Sequence, residues 1–550
     1  MFDPQSVRRD FPILDSRVNG QPLVYFDNAA TTQKPEAVIR AVADYYRQSN
    51  ANVHRAAHAL SSLATAAFEQ ARESVAAFIG AASPREIVWT RGATEAINLV
   101  AQSWGRACLG PDDLILVSTL EHHANIVPWQ MLAADCGARI EPIPLCDDGT
   151  LDLEAYRILL QQQPKLVALT QASNALGTLN PVVQMTRDAQ AAGARVLIDG
   201  AQSTPHLRID VQALGCDFFV FSGHKLFAPT GIGVLWGRES LLASMPPWQG
   251  GGEMIERVSF SGTRYAGLPF RFEAGTPNIA GAIGLAAAIR YLEQFDRSEL
   301  EAHELSLFRR ALELCREIPG FRLIGEAAER VSLMSFQVEG LHQQDLGLLL
   351  DQRGIAVRAG HHCAMPLMER LGLPGTLRAS FAFYNSLEEV EFFAHSLAQI
   401  VAEQHAAEAG PVSMQPPDVL EQLERCRGWQ ERYRQIMLLG KQLPALPDAL
   451  RNDDNRLHGC ETRVWFRAET GPDNRVRLHL DADSRVIRGL IALVLAAYDG
   501  KTAEQILDFD LEASFERLGL MRHLGPSRGN GLRAIVDAVR EAARRQPPLT

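Results

Sequence analysis

Lys225 and Cys363 are the two side chains on which covalent chemistry could be built. Lys225 closes the run Phe218-Phe219-Val220-Phe221-Ser222-Gly223-His224-Lys225. Its apolar, β-prone start reads as a buried strand. Pro229 and nearby glycines make the next stretch a loop. An amine just beyond a buried strand is partly desolvated, so its neutral form can hold an aldehyde cofactor such as pyridoxal phosphate. A solvated loop lysine is the plain alternative. Asp199 ends the strand Val196-Leu197-Ile198 and begins Asp-Gly-Ala-Gln. A carboxylate there can pair with a protonated pyridine nitrogen, which keeps the ring able to accept electrons, or it can cap a helix. Gln202, one turn on, could donate to the ring hydroxyl. Thr94 sits where a strand turns into a helix, in Arg91-Gly92-Ala93-Thr94-Glu95. Free backbone N–H groups there suit an anion, and an ordinary N-cap is the alternative. Ser222 and His224 would complete a phosphate cradle.

Cys363 lies in Arg358-Ala359-Gly360-His361-His362-Cys363-Ala364-Met365-Pro366. A thiol on a mobile loop beside histidine and arginine can be deprotonated and serve as a nucleophile. Arg378 is a candidate for a bidentate clamp on a substrate carboxylate, and Arg358 is a second one. A buried small cysteine and surface salt bridges are the plain readings. The His122 imidazole, in Glu121-His122-His123-Ala124-Asn125, can stack on a planar ring or move protons. The pairs His122-His123 and His361-His362 raise the question of a metal, but no further cluster has zinc-ligand spacing, so none is expected. His54 and His58 are weaker still, and at least one of them reads as a packed or capping histidine.

The elements that must position these groups follow a βαβ rhythm. Strands are expected at 86–89, 114–117, 166–169 and 196–198, with helices opening at 94, 125 and 185. That alternation implies a mostly parallel sheet with helices on both faces, hence an α/β fold. Ligands of such sheets sit at the carboxyl ends of the strands, where Thr94, His122, Asn174, Asp199, Gln202 and Lys225 all lie. A long helix over 280–295 leads into a smaller α+β segment with strands at 331–338 and 355–358, a loop at 360–366 and a helix at 387–406. The stretch 405–417, with three prolines and few apolar residues, reads as a linker. Beyond it the pattern restarts with a helix over 418–439, two strands, two short helices and a terminal helix.

A chain of 550 residues is too long for one ordinary domain. The formal charge of −11 argues against nucleic acid as a partner. The first twelve residues have no apolar core, so no signal peptide is expected. The longest membrane-like run, Gly489 to Tyr498, falls short of the ~20 residues that span a bilayer. Eight scattered cysteines without a CxxC suggest free thiols in a reducing compartment, the cytoplasm.

With DGAQ, FSGHK, RFEAGTPN and RAGHHCAMP in this order, residues 1–405 resemble the SUF-type (group II) cysteine desulfurases of the class V, fold-type I pyridoxal phosphate enzymes. The resemblance implies a large domain over about 20–275 and a small domain from 1–19 and about 296–405. It implies that Lys225 carries the cofactor, that Asp199 meets the ring nitrogen and that His122 stacks on the ring. Thr94, Ser222 and His224, with Thr276 from the partner subunit of a homodimer, would hold the phosphate. Asn174 and Arg378 would hold the carboxylate of L-cysteine, and Cys363 would take its sulfur as a persulfide. One departure stands out: Ala228 replaces a usual glycine, so the loop would differ if that backbone needed positive φ.

Residues 418–550, after a linker at 406–417, resemble the SufE-like sulfur acceptors through HGCETRVW, DADSRVIRGLIALVLAAYDG and GPSRGNGL. Alone, Cys460 reads as a core thiol. The resemblance makes it the recipient of the Cys363 sulfur, with Asp483 and Arg528 as helpers. Asp483 could instead cap the helix that starts at Ser484. A flexible linker of about 13 residues reaches ~20 Å, and tethering raises the acceptor's effective concentration to the order of mM. The sulfur would pass within one chain or across the dimer, and on to an iron–sulfur scaffold of the SUF type. Rival readings are a selenocysteine lyase or β-lyase acting on L-selenocysteine or cysteine, and a relay adaptor without turnover.

Overall fold

The computed structural model describes residues 2–55, 57–408, 419–426, 429–457, 462–471, 473–520 and 525–545. These form two compact units, Met1–Glu339 with Arg353–Gln399, and Gly340–Gln352 with Ile400–Thr550.

The first unit is built on a seven-stranded sheet. Its strands are β1 (Ile87–Thr90), β2 (Leu114–Ser118), β3 (Arg139–Ile143), β4 (Leu166–Thr170), β5 (Arg195–Asp199), β6 (Phe218–Ser222) and β7 (Gly233–Gly237), in the spatial order β1-β7-β6-β5-β4-β2-β3. β6-β5-β4-β2-β3 are parallel, and β7 runs antiparallel to both β1 and β6. Every residue of β1, β2, β4, β6 and β7 is buried, as continuous apolar runs covered on both faces require. β1 and β6 point the same way because each is antiparallel to β7. The carboxyl ends of β1, β2, β4, β5 and β6 therefore lie along one edge. Gly233 makes this possible on the β7 side, since a Cβ there would lie 2.3 Å from the Cα of Gly92.

A second, antiparallel sheet has the order β8 (Phe321–Ile324), β9 (Leu333–Val338), β11 (Thr376–Ser380), β10 (Arg358–Gly360). Arg358 stands opposite Arg378 in this register. The N-terminal strand Val24–Tyr25 pairs in parallel with Ile355–Ala356, and Asp27 bridges to Ser380. The chain's start is thereby carried to residues more than 300 positions away.

The expected strands of the large sheet are all present. β3, β7, the hairpin Ile255–Ser259/Gly262–Tyr265 and the helix Arg297–Arg316 are additions. The segment 360–366 is not wholly a loop: β10 ends at Gly360 and a helix begins at Met365. Pro366 occupies the first turn of that helix, where its missing N–H costs no bond.

The second unit holds the strands Val464–Thr470, Arg475–Ala482 and Lys501–Thr502, with long helices at Trp429–Gln442, Arg485–Tyr498 and Gly525–Arg544. The single helix expected over 418–439 is two helices, Val419–Arg425 and Trp429–Gln442. The helix expected to end at 406 continues to Glu408. Gly440 and Gly489 let two helices meet, since a Cβ at either would lie 2.0 Å from a backbone oxygen of the other helix. The segment Gly340–Gln352, assigned by sequence to the smaller α+β segment, belongs to this unit. Its Asp345 accepts from Ser484 Oγ (2.8 Å) and Arg485 N (2.9 Å) at the start of the helix Arg485–Tyr498. No helix among the described residues is long and apolar enough to cross a membrane.

Candidate active site

The strand ends of the large sheet and the second sheet enclose a cavity of about 230 Å³. Thr94, His122, Asn174, Asp199, Gln202, Ser222, His224, Lys225, Arg358, Cys363 and Arg378 all line it. The sequence places them across 285 positions, and the fold brings them together.

Lys225 ends the short 3-10 turn Gly223–Lys225 that follows β6. Burial, and secondarily the Arg378 charge, lower its pKa from 10.5 to about 8, with Asp199 opposing the shift. Roughly a tenth of the amine is then neutral at pH 7, far more than for an ordinary lysine, and the neutral form is the one a nucleophile or base needs. Its backbone is held through the carbonyl of His224, on which four donors converge. These are Thr32 N (3.1 Å), Thr31 Oγ1 (3.1 Å), Thr32 Oγ1 (3.2 Å) and Lys34 Nζ (2.9 Å). Lys34 also donates to Thr32 O, and burial lowers its own pKa to about 8.

Asp199 is buried at the end of β5. Oδ1 accepts from Ala201 N at 2.9 Å, and no other hydrogen bond reaches the carboxylate among the described residues. Burial raises its pKa, with the Ala201 N–H and Lys225 acting the other way. Gln202 donates to Ala29 O at 2.6 Å. His122 accepts from Ala124 N, and burial and then the Lys225 charge lower its pKa to about 3, so it stays neutral at pH 7. Beside it, Glu121 is fully buried and accepts from Ser118 Oγ, Thr170 N and Asn125 Nδ2. Burial pushes its carboxyl up to about 8.

At the cavity's other end, Ser222 Oγ accepts from Ala93 N (2.9 Å) at the start of the helix Ala93–Val100. A Cβ at Gly92 would come within 3.2 Å of that hydroxyl, so glycine leaves room where helix, serine and Thr94 meet. Pyridoxal phosphate fits this donor set. Asp199 is a buried carboxylate short of partners and suits a cationic ring nitrogen. Lys225 is a desolvated amine. The helix start with Thr94, Ser222 and His224 suits a phosphate. Thr276 lies apart, lining a second cavity with Trp89, Arg91 and Asn278. Its own chain does not bring it to the Lys225 cavity.

Arg378 is buried and donates to Asn174 O (2.7 Å) and Asp27 Oδ1 (3.1 Å), while its Nε has no partner among the described residues. Arg358 is half-exposed and reaches both oxygens of Asp27 (3.1 and 3.2 Å through Nε). Asp27 thus holds the two guanidiniums side by side. Cys363 is exposed, and Asn174 Nδ2 donates to the preceding carbonyl, His362 O, at 2.6 Å.

Asp27 and Lys34 were not among the sequence candidates, and His123 entered only as half of a possible metal-binding pair. The polar turn Asn28-Ala29-Ala30-Thr31-Thr32 after a strand was the available signal, but its partners lie about 190 or more positions on. His58 caps the helix Ala59–Phe78 by accepting from Ser61 N, and His54 pairs with Glu69 at 2.9 Å. The backbone at Ala228 does not need positive φ, so the alanine imposes no strain there: Phe227 carries the positive φ (59°) instead. Phe227 N donates to Thr32 Oγ1 (2.9 Å), which ties this loop to the same N-terminal turn.

In the second unit, Asp483 pairs with Arg463 (3.0 Å) and lies 3.8 Å from His342. The cap of the following helix is Ser484, whose hydroxyl accepts from Ile487 N. Cys460 and the side chain of Arg528 lie outside the described residues, as does most of the expected linker.

Residues 24–393 match the family model "Aminotransferase class-V", and residues 417–543 match "SufE: Fe-S metabolism associated domain". The chain is 54% identical over 391 residues to a probable cysteine desulfurase of Vibrio cholerae, covering 71% of this chain and 96% of that one. It is 53% identical over 399 residues to a cysteine desulfurase of Synechococcus elongatus, covering 72% of this chain and 64% of that one. An apo cysteine desulfurase structure from Thermococcus onnurineus superposes with a TM-score of 0.70 at 42% identity, over 73% of this chain and 99% of that one.

Proposed function

The chain belongs to the aminotransferase class-V family, as a cysteine desulfurase joined to a SufE-like domain, and we propose how its residues divide the work. The reaction turns L-cysteine into L-alanine with pyridoxal phosphate as cofactor and passes the sulfur to the acceptor domain for iron–sulfur cluster assembly. When bound, the cofactor supplies an electron sink for the substrate's α-carbon. Lys225 and Asp199 would hold its reactive end and ring nitrogen, with Gln202 and His122 beside the ring. Thr94, Ser222 and His224 would hold its phosphate.

Arg378, with Asn174 and Arg358, clamps the carboxylate of L-cysteine. Its unpartnered Nε supports this role, because a buried guanidinium N–H without an acceptor favours an anionic ligand. Lys225 removes the α-proton. The Cys363 thiolate attacks the substrate sulfur, the Cβ–S bond breaks, and the electron pair stays with the carbon that is protonated to become the methyl of alanine. Cys363 is left as a persulfide, so atoms and charge balance. Cys460 then attacks the terminal sulfur in an ordinary thiol exchange, with Asp483 and Arg528 as helpers.

The single observation that carries this assignment is that Lys225 and Cys363, 138 positions apart, border one cavity with Asp199 and Arg378. We divide the chain into a desulfurase part to about 405, a tether over 406–417 and an acceptor part beyond it. A homodimer belongs to the same proposal, supported by Thr276 standing away from its own chain's cavity. So do a SUF-type scaffold as final acceptor, L-selenocysteine as a second substrate of the same shape, and the cytoplasm. The last draws on six free thiols among the described residues, Cys108, Cys136, Cys146, Cys216, Cys315 and Cys363.

The test is Cys363→Ala. It should keep the cofactor's absorption band yet form no persulfide and no L-alanine from L-cysteine, by mass spectrometry and amino-acid analysis. Full turnover in that variant would overturn the role of Cys363.

A further inference from the structure

Cys363 is presented on an unusual backbone. His362 and Cys363 both have positive φ, 54° and 55°, two consecutive residues in the left-handed region without a glycine between them. Side chains with a Cβ adopt that conformation only where the surroundings hold it. Here the holding groups are identifiable. His123 N donates to Cys363 O at 2.7 Å, and the same residue's Nε2 accepts from Met365 N at 3.0 Å. His361 Nδ1 accepts from Cys363 N at 3.0 Å. The His123 and His361 rings lie 5.7 Å apart and tilted by 32°.

We propose that His123 is a positioning residue for the Cys363 nucleophile, fixing the backbone that follows the thiol through one main-chain bond and one imidazole acceptor. The proposal rests on the reading of Cys363 as the persulfide-forming thiol. His123 sits in the turn His123–Asn125, directly after His122, so the segment that sets a ring against the cofactor site also sets the nucleophile. The accepting nitrogen must be unprotonated. Burial, and then the neighbouring His361, hold His123 below the ordinary histidine range, which favours that form.

The test uses the holoenzyme with His123→Phe, which keeps a ring and removes the acceptor, and His123→Gln, whose amide oxygen spans the same number of bonds as Nε2. In a single turnover with L-cysteine, His123→Phe should slow persulfide formation on Cys363 about 10- to 100-fold, as expected when a reacting group is misplaced by roughly an ångström. The cofactor band should persist. Without substrate, alkylation of Cys363 by iodoacetamide should quicken as the loop is released. His123→Gln should recover most of the persulfide rate. Wild-type rates in His123→Phe by both readouts would overturn the proposal. So would a His123→Gln variant as slow as His123→Phe, since that assigns the effect to the ring's proton. In the unmodified protein, hydrogen exchange of the peptide spanning Cys363–Met365 should be slow, and rapid exchange there also overturns the clamp, whether or not the variants fold. Absence of persulfide on Cys363 in the unmodified enzyme would instead sink the underlying role of Cys363.

Discussion

Lys225 and Cys363 face one cavity but are held by opposite means. Lys225 follows a strand buried at every residue, and its loop is pinned by four donors on a single carbonyl. Cys363 is exposed, on a left-handed backbone held by two histidines and an asparagine. The difference follows from the work each must do. An amine that forms and breaks a bond to a resident cofactor gains from desolvation, which favours its neutral form. A thiol that must meet a substrate and then a second thiol cannot be sealed away, so its placement comes from hydrogen bonds at the rim.

The contrast can be broken first at the amine. Lys225→Met should lower kcat by about 10³-fold or more, within the range for removal of a general base. The same exchange should stabilise the cofactor-free protein. Below pH 8 the lysine is charged in both the folded and unfolded states, and the folded state bears the burial penalty in full. The penalty fades as pH rises from about 8 to 10.5. Denaturant melts at pH 7 should therefore find Lys225→Met more stable by about 3 kcal/mol, with the gain vanishing near pH 10.5. No such gain is expected for Cys363→Ala, whose exposed site should change stability by less than about 0.5 kcal/mol. Equal effects at the two positions would erase the distinction.

A smaller effect is expected one strand away. Asp199→Asn removes the buried carboxylate opposite Lys225 and should cost about 100-fold in kcat, as the loss of a preorganised charge does. Persulfide transfer from preloaded Cys363 should continue. A kcat within twofold of wild type would show that Asp199 serves only as a structural cap. The smallest effect belongs to Ala228→Gly. Because Phe227 rather than Ala228 carries the positive φ, glycine gains nothing there and should cost about 0.5–1 kcal/mol in stability, with turnover unchanged.

Much of the site was legible because its chemistry is local. Lys225 follows an apolar run, Asp199 closes another, and Cys363 sits among histidines, so residue types and their immediate neighbours announce their uses. The parallel sheet was legible for a similar reason: alternating strands and helices leave few ways to bury both faces. The edge strand β3 was not, because its residues are largely half-exposed and carry no apolar run. The positive φ at Phe227 and Cys363 was not, because neither is a glycine.

By itself the sequence determined which groups exist, in what order, and which short elements carry them to the strand ends. Tertiary structure decided who holds them. The carbonyl before Lys225 meets Thr31, Thr32 and Lys34 from about 190 positions away, and Arg378 meets Asp27 from 351 positions away. Cys363 is framed by His123 from across the fold. Such partners leave no local periodicity, since a hydrogen bond depends on where two atoms lie in space and not on how far apart they are along the chain.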